Sequence, residues 1–318
     1  MSKNIQSYNQ DNNFFQANSI DNEVRLRELF SIVWKGKWTV IFVTFLFGVA
    51  SIVYALHKPN IYTSEVLLAP TESEQSGGLS ALAGQFGGLA SLAGVNLASQ
   101  NTNKSQLALE VLVSRRFTSD FIQKHNILPE LMAIKSWDLM NNKVVYDEEI
   151  YNFESRKWLR EVEAPYKAKP SMQEAYKEFS KIFSATLNSE TGMVTLSIEH
   201  ISPYIAQQWA KWLVEDINQE MKERDVLEAN RSTDFLTKQI EKTHIADIRT
   251  ILYKLIEEQA KTIMLANVRD EYVFKTIDPA LVSEEKSKPK RALIVILGVF
   301  LGGMLSVLFL LLKHALRK

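Results

Sequence analysis

FSATLNSETGMVTLSIEHISPYIAQQW, residues 183 to 209, decides the fold. Val194, Leu196, Ile198 and His200 alternate with Thr195, Ser197 and Glu199, the period-two pattern of a strand with one buried face. Phe183 to Leu187 and the turn Asn188 to Gly192 come just before, so the segment predicts a β-hairpin. Ser202 and Pro203 follow as the N-cap and first-turn proline of a helix, and no glycine or proline recurs until Pro279. Within one short stretch the chain passes from sheet to a very long helical region.

Downstream, Ile205, Trp209, Trp212, Leu213 and Ile217 make one apolar stripe. Ile245, Ile248, Leu252, Leu255 and Ile263 make another, with mostly polar sequence from Lys222 to Asp234 between them. The stripes read as two arms of a helical hairpin that turns near Thr243-His244, the first arm about 40 residues or roughly 60 Å long. A single unbroken helix is the rival reading. Tyr272 to Ile277 alternates like a strand.

Upstream, Ile61 to Leu68 reads as a strand with Tyr62, Ser64, Val66 and Leu68 on one side and Pro59 and Pro70 bracketing it. Lys104 to Lys124 has helical spacing. Trp137 to Tyr176 is read as two further helices broken at Pro165/Pro170.

Furthest out lie two uncharged apolar runs, Trp38 to Leu56 (19 residues) and Ala292 to Leu312 (21 residues). Each reaches about 30 Å as a helix, the thickness of a bilayer's hydrocarbon core. Arg25, Arg27, Lys35 and Lys37 precede the first run and only Lys58 lies just beyond, so the N-terminus is expected in the cytoplasm, with the run an uncleaved signal anchor. Two spans then place both termini in the cytoplasm and residues 57–291 outside it. The expected division is a cytoplasmic tail and interfacial helix at 1–37, spans at 38–56 and 292–312, and a tail at 313–318. Between the spans come a base, 57–202 and 270–291, and a helical extension, 203–269. The expected class is an α+β membrane protein, two transmembrane helices flanking an α/β base with a long helical hairpin.

Three stretches near the membrane add to this picture. Glu23 to Trp38 mixes apolar residues with Arg and Lys as an amphipathic interfacial helix does, and residues 1–20, rich in Asn and Gln, read as disordered. Gln75 to Asn103 carries six glycines and no charge. It is a weak insertion signal, read as a flexible segment near the membrane or between subunits rather than a third span.

Composition narrows the chemistry. The 37 basic and 37 acidic side chains cancel, which disfavours a general nucleic-acid binder, and the absence of cysteine excludes disulfides, thiolate metal sites and cysteine nucleophiles. No H-E-x-x-H, G-x-S-x-G or Walker motif occurs, so no catalytic residue, cofactor or metal ligand is assigned. Ser283 to Lys286 matches S-x-x-K only by its letters and sits in a charged linker. The pairs Glu148-Glu149, Glu257-Glu258 and Glu284-Glu285 read as solvated surface. His200 reads as a packed or capped histidine, and His57 and His314 as interface anchors. Trp137, Trp158, Trp209 and Trp212 are assigned to core packing ahead of sugar-stacking platforms.

The assigned residues serve membrane and packing roles. Gly298, Gly302 and Ser306 place small groups one turn apart on the second span, a surface for helix contact within a protomer or between protomers. Pro59, Pro279, Pro289, Lys290 and Arg291 are membrane-proximal. The cations there either bind anionic headgroups or simply snorkel.

PNIYTSEVLLAP after the first span, LSIEHISPYIAQQW, LIEEQAKTIMLANVRDEYVFKTIDPA, and KPKRALIVILGVFLGGML at the second span together resemble the polysaccharide co-polymerase family, the Wzz-type chain-length determinants. The resemblance runs in order from about Val24 to the end. It implies an inner-membrane protein with a periplasmic α/β base and a helical extension, assembled as a closed, octamer-like homo-oligomeric ring. It further implies regulation of chain length together with the O-antigen polymerase, on an undecaprenyl-linked polysaccharide and among membrane lipids. Relatives for capsule and exopolysaccharide often carry a tyrosine-kinase domain after the second span. The six residues that follow it here favour the kinase-free branch that controls lipopolysaccharide O-antigen length, and disfavour a two-span sensor. The alternative is an envelope adaptor or export component.

Overall fold

The computed structural model describes residues 34–71 and 100–316, with no side-chain account at 100–103 or 315. The readings at 1–20, over most of 23–38 and across the glycine-rich 75–103 therefore lie largely or wholly outside the described residues. The chain divides into two compact units. One holds residues up to Asn60 and from Lys288 on, the other Ile61–Ser287.

The second unit is built on a four-stranded antiparallel sheet in the order β6-β7-β1-β8, with β1 at Tyr62–Pro70, β6 at Phe183–Leu187, β7 at Val194–His200 and β8 at Phe274–Asp278. The hairpin read from the period-two pattern is β6–β7, and Gly192 takes the positive φ of 69° that its turn needs. Register makes one face apolar: Val66 stands opposite Leu196, Leu68 opposite Val194 and Ser64 opposite Ile198. All six side chains are buried.

Helix α6 (Pro203–Lys242) covers that face. Ser202 caps it, accepting from the Ile205 N–H, and Pro203 occupies its first turn. Ala206, Trp209, Ala210, Leu213, Ile217 and Met221 recur at three- and four-residue steps and are all buried in the core. Helices α3 (Arg115–Lys124) and α5 (Met172–Ile182) complete it through Phe121 and Phe179, with ring centroids 5.5 Å apart. Beyond Met221, α6 continues against α7 (Ala246–Val268), and the reversal falls at Thr243–Ile245. The expected helical hairpin, with its 40-residue first arm, is therefore the observed one.

Two stretches differ from expectation. Lys104 to Lys124 is split into α2 (Gln100–Leu112) and α3, because the Ser114 hydroxyl accepts from Phe117 N–H and starts a new helix. Trp137 to Tyr176 is not a helix pair. After the short helix α4 (Leu128–Met132) come two small hairpins, β2 (Ile134–Asp138) with β3 (Lys143–Tyr146) and β4 (Tyr151–Asn152) with β5 (Lys157–Trp158). Turn chemistry prevails over apparent periodicity here. The Asp138 carboxylate accepts from Met140 N–H at 2.9 Å, Asn152 Oδ1 accepts from Ser155 N–H at 2.8 Å, and Asn142 and Arg156 take left-handed φ values of 48° and 53°. Helix begins only at α5, where Ser171 and Glu174 form a capping box.

Two buried polar residues fix the strand ends. The Asn218 side chain accepts from Val273 and Phe274 N–H at 2.8 and 2.9 Å and donates to the Phe274 carbonyl at 3.0 Å. It thereby ties the edge strand β8 to α6. His200, at the end of β7, accepts at Nδ1 from Ser202 N–H (3.0 Å) and donates from Nε2 to the Glu130 carbonyl (3.3 Å), the pattern of a neutral imidazole assigned from its partners. Burial pushes its pKa down to about 4.

Asn218→Leu leaves three buried backbone groups without that partner, and at about 1–3 kcal/mol for each unsatisfied group it should lower stability by at least about 3 kcal/mol. Thermal melts of the full chain in detergent read this directly, and an unchanged midpoint would refute the assignment. For His200 the folded pKa lies below the ordinary 6.5, so its stabilising share is full above pH 6.5 and drains away as pH falls toward 4. Between pH 7 and pH 5 the loss is about 2 kcal/mol in urea unfolding followed by tryptophan fluorescence. His200→Gln, which keeps donor and acceptor without titrating, should flatten that difference.

Candidate functional site: the paired apolar helices

The first unit is an antiparallel helix pair, α1 (Lys37–His57) and α8 (Arg291–Ala315). Both are long and apolar enough to cross a membrane. Their outward residues are large and apolar, with Trp38, Phe42, Phe45, Ile296, Phe300 and Phe309 all exposed. Such a surface fits a two-pass membrane protein, with hydrocarbon in place of water around the pair.

Small residues let the two backbones approach. A Cβ added at Gly298 would stand 2.5 Å from Ser51 Cβ, and one at Gly302 would stand 2.6 Å from Phe47 Cβ. From the other helix, Gly48 faces Val299 and Gly36 faces Leu310. Ser306 is buried, and its hydroxyl donates to the Gly303 carbonyl at 2.7 Å, so its polar group is satisfied within its own helix. The structure thus brings Gly298 and Gly302 onto α1 of the same protomer. Gly36, Gly48 and Ser51, the α1 side of the contact, were not singled out in the sequence; their spacing is irregular, and only the partner helix reveals their role.

Arg291 is occupied within the pair. Its Nε donates to the Ala55 carbonyl at 3.2 Å and its Nη2 to Asn60 Oδ1 at 3.1 Å, which places a cation at the C-terminal end of α1, where unpaired carbonyls collect. Lys290 is the exposed N-cap of α8, Pro289 precedes it half-buried, and Pro59 is exposed after α1.

In the other unit, Pro279 is exposed immediately after β8. The segment that follows runs beside β1: Ser64 Oγ donates to the Leu281 carbonyl at 2.8 Å and Ser287 N–H to the Ile61 carbonyl at 2.8 Å. The two ends of this unit therefore lie together. Trp209 is fully buried and Trp212 stacks on His125 at 4.1 Å, as core packing requires, whereas Trp137 and Trp158 are only half-buried. Among the described residues no three potential metal ligands gather.

Because the chain has no cysteine, Thr44→Cys with Gly303→Cys supplies a clean test of the pair, since a Cβ at Gly303 would lie 3.8 Å from Thr44 Oγ1. Mild oxidation in membranes should crosslink the two within one chain and shift its mobility, while Thr44→Cys with Phe300→Cys should not react. Gly302→Leu should overpack the contact by about 1–3 kcal/mol and lower the melting point in detergent.

The family described as "Chain length determinant protein" (Wzz) matches residues 22–125, and the family described as "G-rich domain on putative tyrosine kinase" (GNVR) matches residues 246–315. No curated protein sequence matches significantly. Among solved structures the chain is similar to a full-length bacterial polysaccharide co-polymerase at 15% identity and TM-score 0.36, over 91% of this chain and 97% of that one. It is also similar to a fragment of WzzB, a polysaccharide co-polymerase from Salmonella Typhimurium, at 13% identity and TM-score 0.28, over 72% of this chain and 100% of that one. The two family matches stand in order along the chain and each contains one of the apolar helices, so the chain carries a Wzz-type chain length determinant segment over its first apolar helix and a GNVR-type segment over its second.

Proposed function

We propose that this protein is a non-enzymatic scaffold that sets the modal length of a lipid-linked surface polysaccharide, lipopolysaccharide O-antigen being the polymer to test first, in concert with its polymerase. The family match carries the reading. In this reading residues 57–291 lie in the periplasm and both termini in the cytoplasm, which the basic residues before α1 support.

Protomers assemble into a closed ring that acts by geometry, holding the polymerase or the undecaprenyl-linked chain so that extension stops within a preferred range. Support for self-association comes from the helical hairpin, where Leu227, Phe235, Ile248 and Ile251 are exposed in the single chain. Apolar surface on paired helices marks a contact face.

Deleting the gene should abolish the modal cluster of surface polysaccharide on a silver-stained gel, and restoring it should bring the cluster back. The variant Ile248→Glu/Ile251→Glu, expressed at the normal level, should behave like the deletion. An unchanged distribution would overturn the proposal, and loss of all polymer would favour the export-component reading.

A further inference from the structure

The hairpins that replaced the expected helices enclose a cleft of about 780 Å³, inside the ~300–1,000 Å³ range of ordinary small-molecule sites. Its walls come from α4, from β3 and from the β4–β5 hairpin with its turn, and its lining includes Glu130, Tyr146, Tyr151, Phe153, Arg156 and Trp158. Lys169 stands at the same cleft.

The lining combines three features. Aromatic rings come first. Phe153 stacks on Tyr146 with centroids 5.1 Å apart and planes 11° from parallel and remains 63% exposed, so its other face is open to the cleft. Trp158 leans on the buried Tyr151 at 4.9 Å and is itself half-buried. The second feature is a fixed polar pair. Tyr146 donates to Glu130 Oε1 at 3.0 Å, and burial together with that carboxylate holds the phenol well above its ordinary range, so the hydroxyl keeps its proton. Glu130 is in turn held by the bond from His200 to its carbonyl. The third feature is charge. Arg156 and Lys169 are exposed cations at the cleft with no partner among the described residues.

Aromatic faces suit the C–H faces of a pyranose ring, and free cations suit a carboxylate or similar anionic substituent. We propose that this cleft is a saccharide-binding site for a pyranose that carries an anionic group, with the ring against Phe153 and Trp158 and the anion at Arg156 and Lys169. Arg156 holds its place at the cost of a left-handed backbone, φ 53°, in the turn that also presents Phe153. The choice of ligand rests on the polysaccharide reading above and adds to it a contact surface on the individual protomer.

The test is isothermal titration of the purified full chain in detergent with a hyaluronan-type hexasaccharide of alternating glucuronate and N-acetylglucosamine, beside neutral maltohexaose. The acidic sugar should bind about tenfold more tightly than the neutral one, and Phe153→Ala and Arg156→Asn should each weaken it about tenfold with unchanged melting points. Asparagine tolerates left-handed φ, so Arg156→Asn removes the charge without disturbing the turn. No binding by the parent chain, or equal binding by parent and variants, would overturn the site, and equal affinity for both sugars would overturn its anionic assignment. The gene-deletion gel separates the two readings. A lost modal cluster without sugar binding leaves length control standing and overturns the cleft, whereas cleft-dependent binding with an unchanged gel upholds the cleft and overturns length control.

Discussion

Antiparallel pairing between the first strand of the larger unit and its last is the constraint on which the rest depends. Leu68 lies opposite Thr276 and Pro70 opposite Phe274, and the stitching continues as Ser287 reaches back to Ile61. About two hundred residues separate these partners in sequence, so everything between must form a closed excursion. A helix as long as α6 carries the chain far from its strand, and only an antiparallel arm such as α7 returns it. The helical hairpin is thus a consequence of sheet closure as much as of helical propensity.

Closure needs β8 to stay at the sheet edge, and few local features of its five residues hold it there. Asn218 does so from α6, and a second link joins the same elements. Tyr272 donates to Asp225 at 2.7 Å while Lys104 pairs with Asp225 at 2.5 Å and lies over the Tyr272 ring at 4.1 Å. Asp216, close to Asn218 on the same helix, makes a comparable link by joining Lys124 at 2.6 Å and His125 at 2.9 Å. Each of these polar groups in α6 is satisfied by a neighbouring element, as the cost of an unpaired buried group demands. The helix is therefore both the lid of the core and the post to which its edges are tied.

The smaller unit obeys a different solvent. Two helices with largely apolar outer surfaces gain nothing by hiding them from lipid, so their contact relies on close backbone approach, which Gly298, Gly302, Gly48 and Ser51 allow. The chain length determinant match over residues 22–125 takes in the first of these two helices.

Much of this was determined by the sequence alone. The β6–β7 hairpin, the Ser202-Pro203 helix start, the reversal near Thr243 and the two apolar helices all arise from neighbours in the chain, through side-chain period, capping and hydrophobic length. His200 was legible as a packed residue for the same reason, since its place at the end of an alternating strand points it inward. Other features depended on residues that meet only after folding. The hairpins between Ile134 and Trp158 are too short to show a period, and Asp138 and Asn152 decide them by local hydrogen bonds that helical spacing conceals. Asn218 reads as one more polar residue of a polar helix until β8 arrives beside it. Gly36 and Gly48 gain meaning only from Leu310 and Val299, and the cleft at Glu130, Tyr146 and Phe153 only from the docking of α4 against two hairpins. Local periodicity and capping act within a few residues and can be read in order, whereas burial and polar satisfaction depend on which distant elements come to lie side by side.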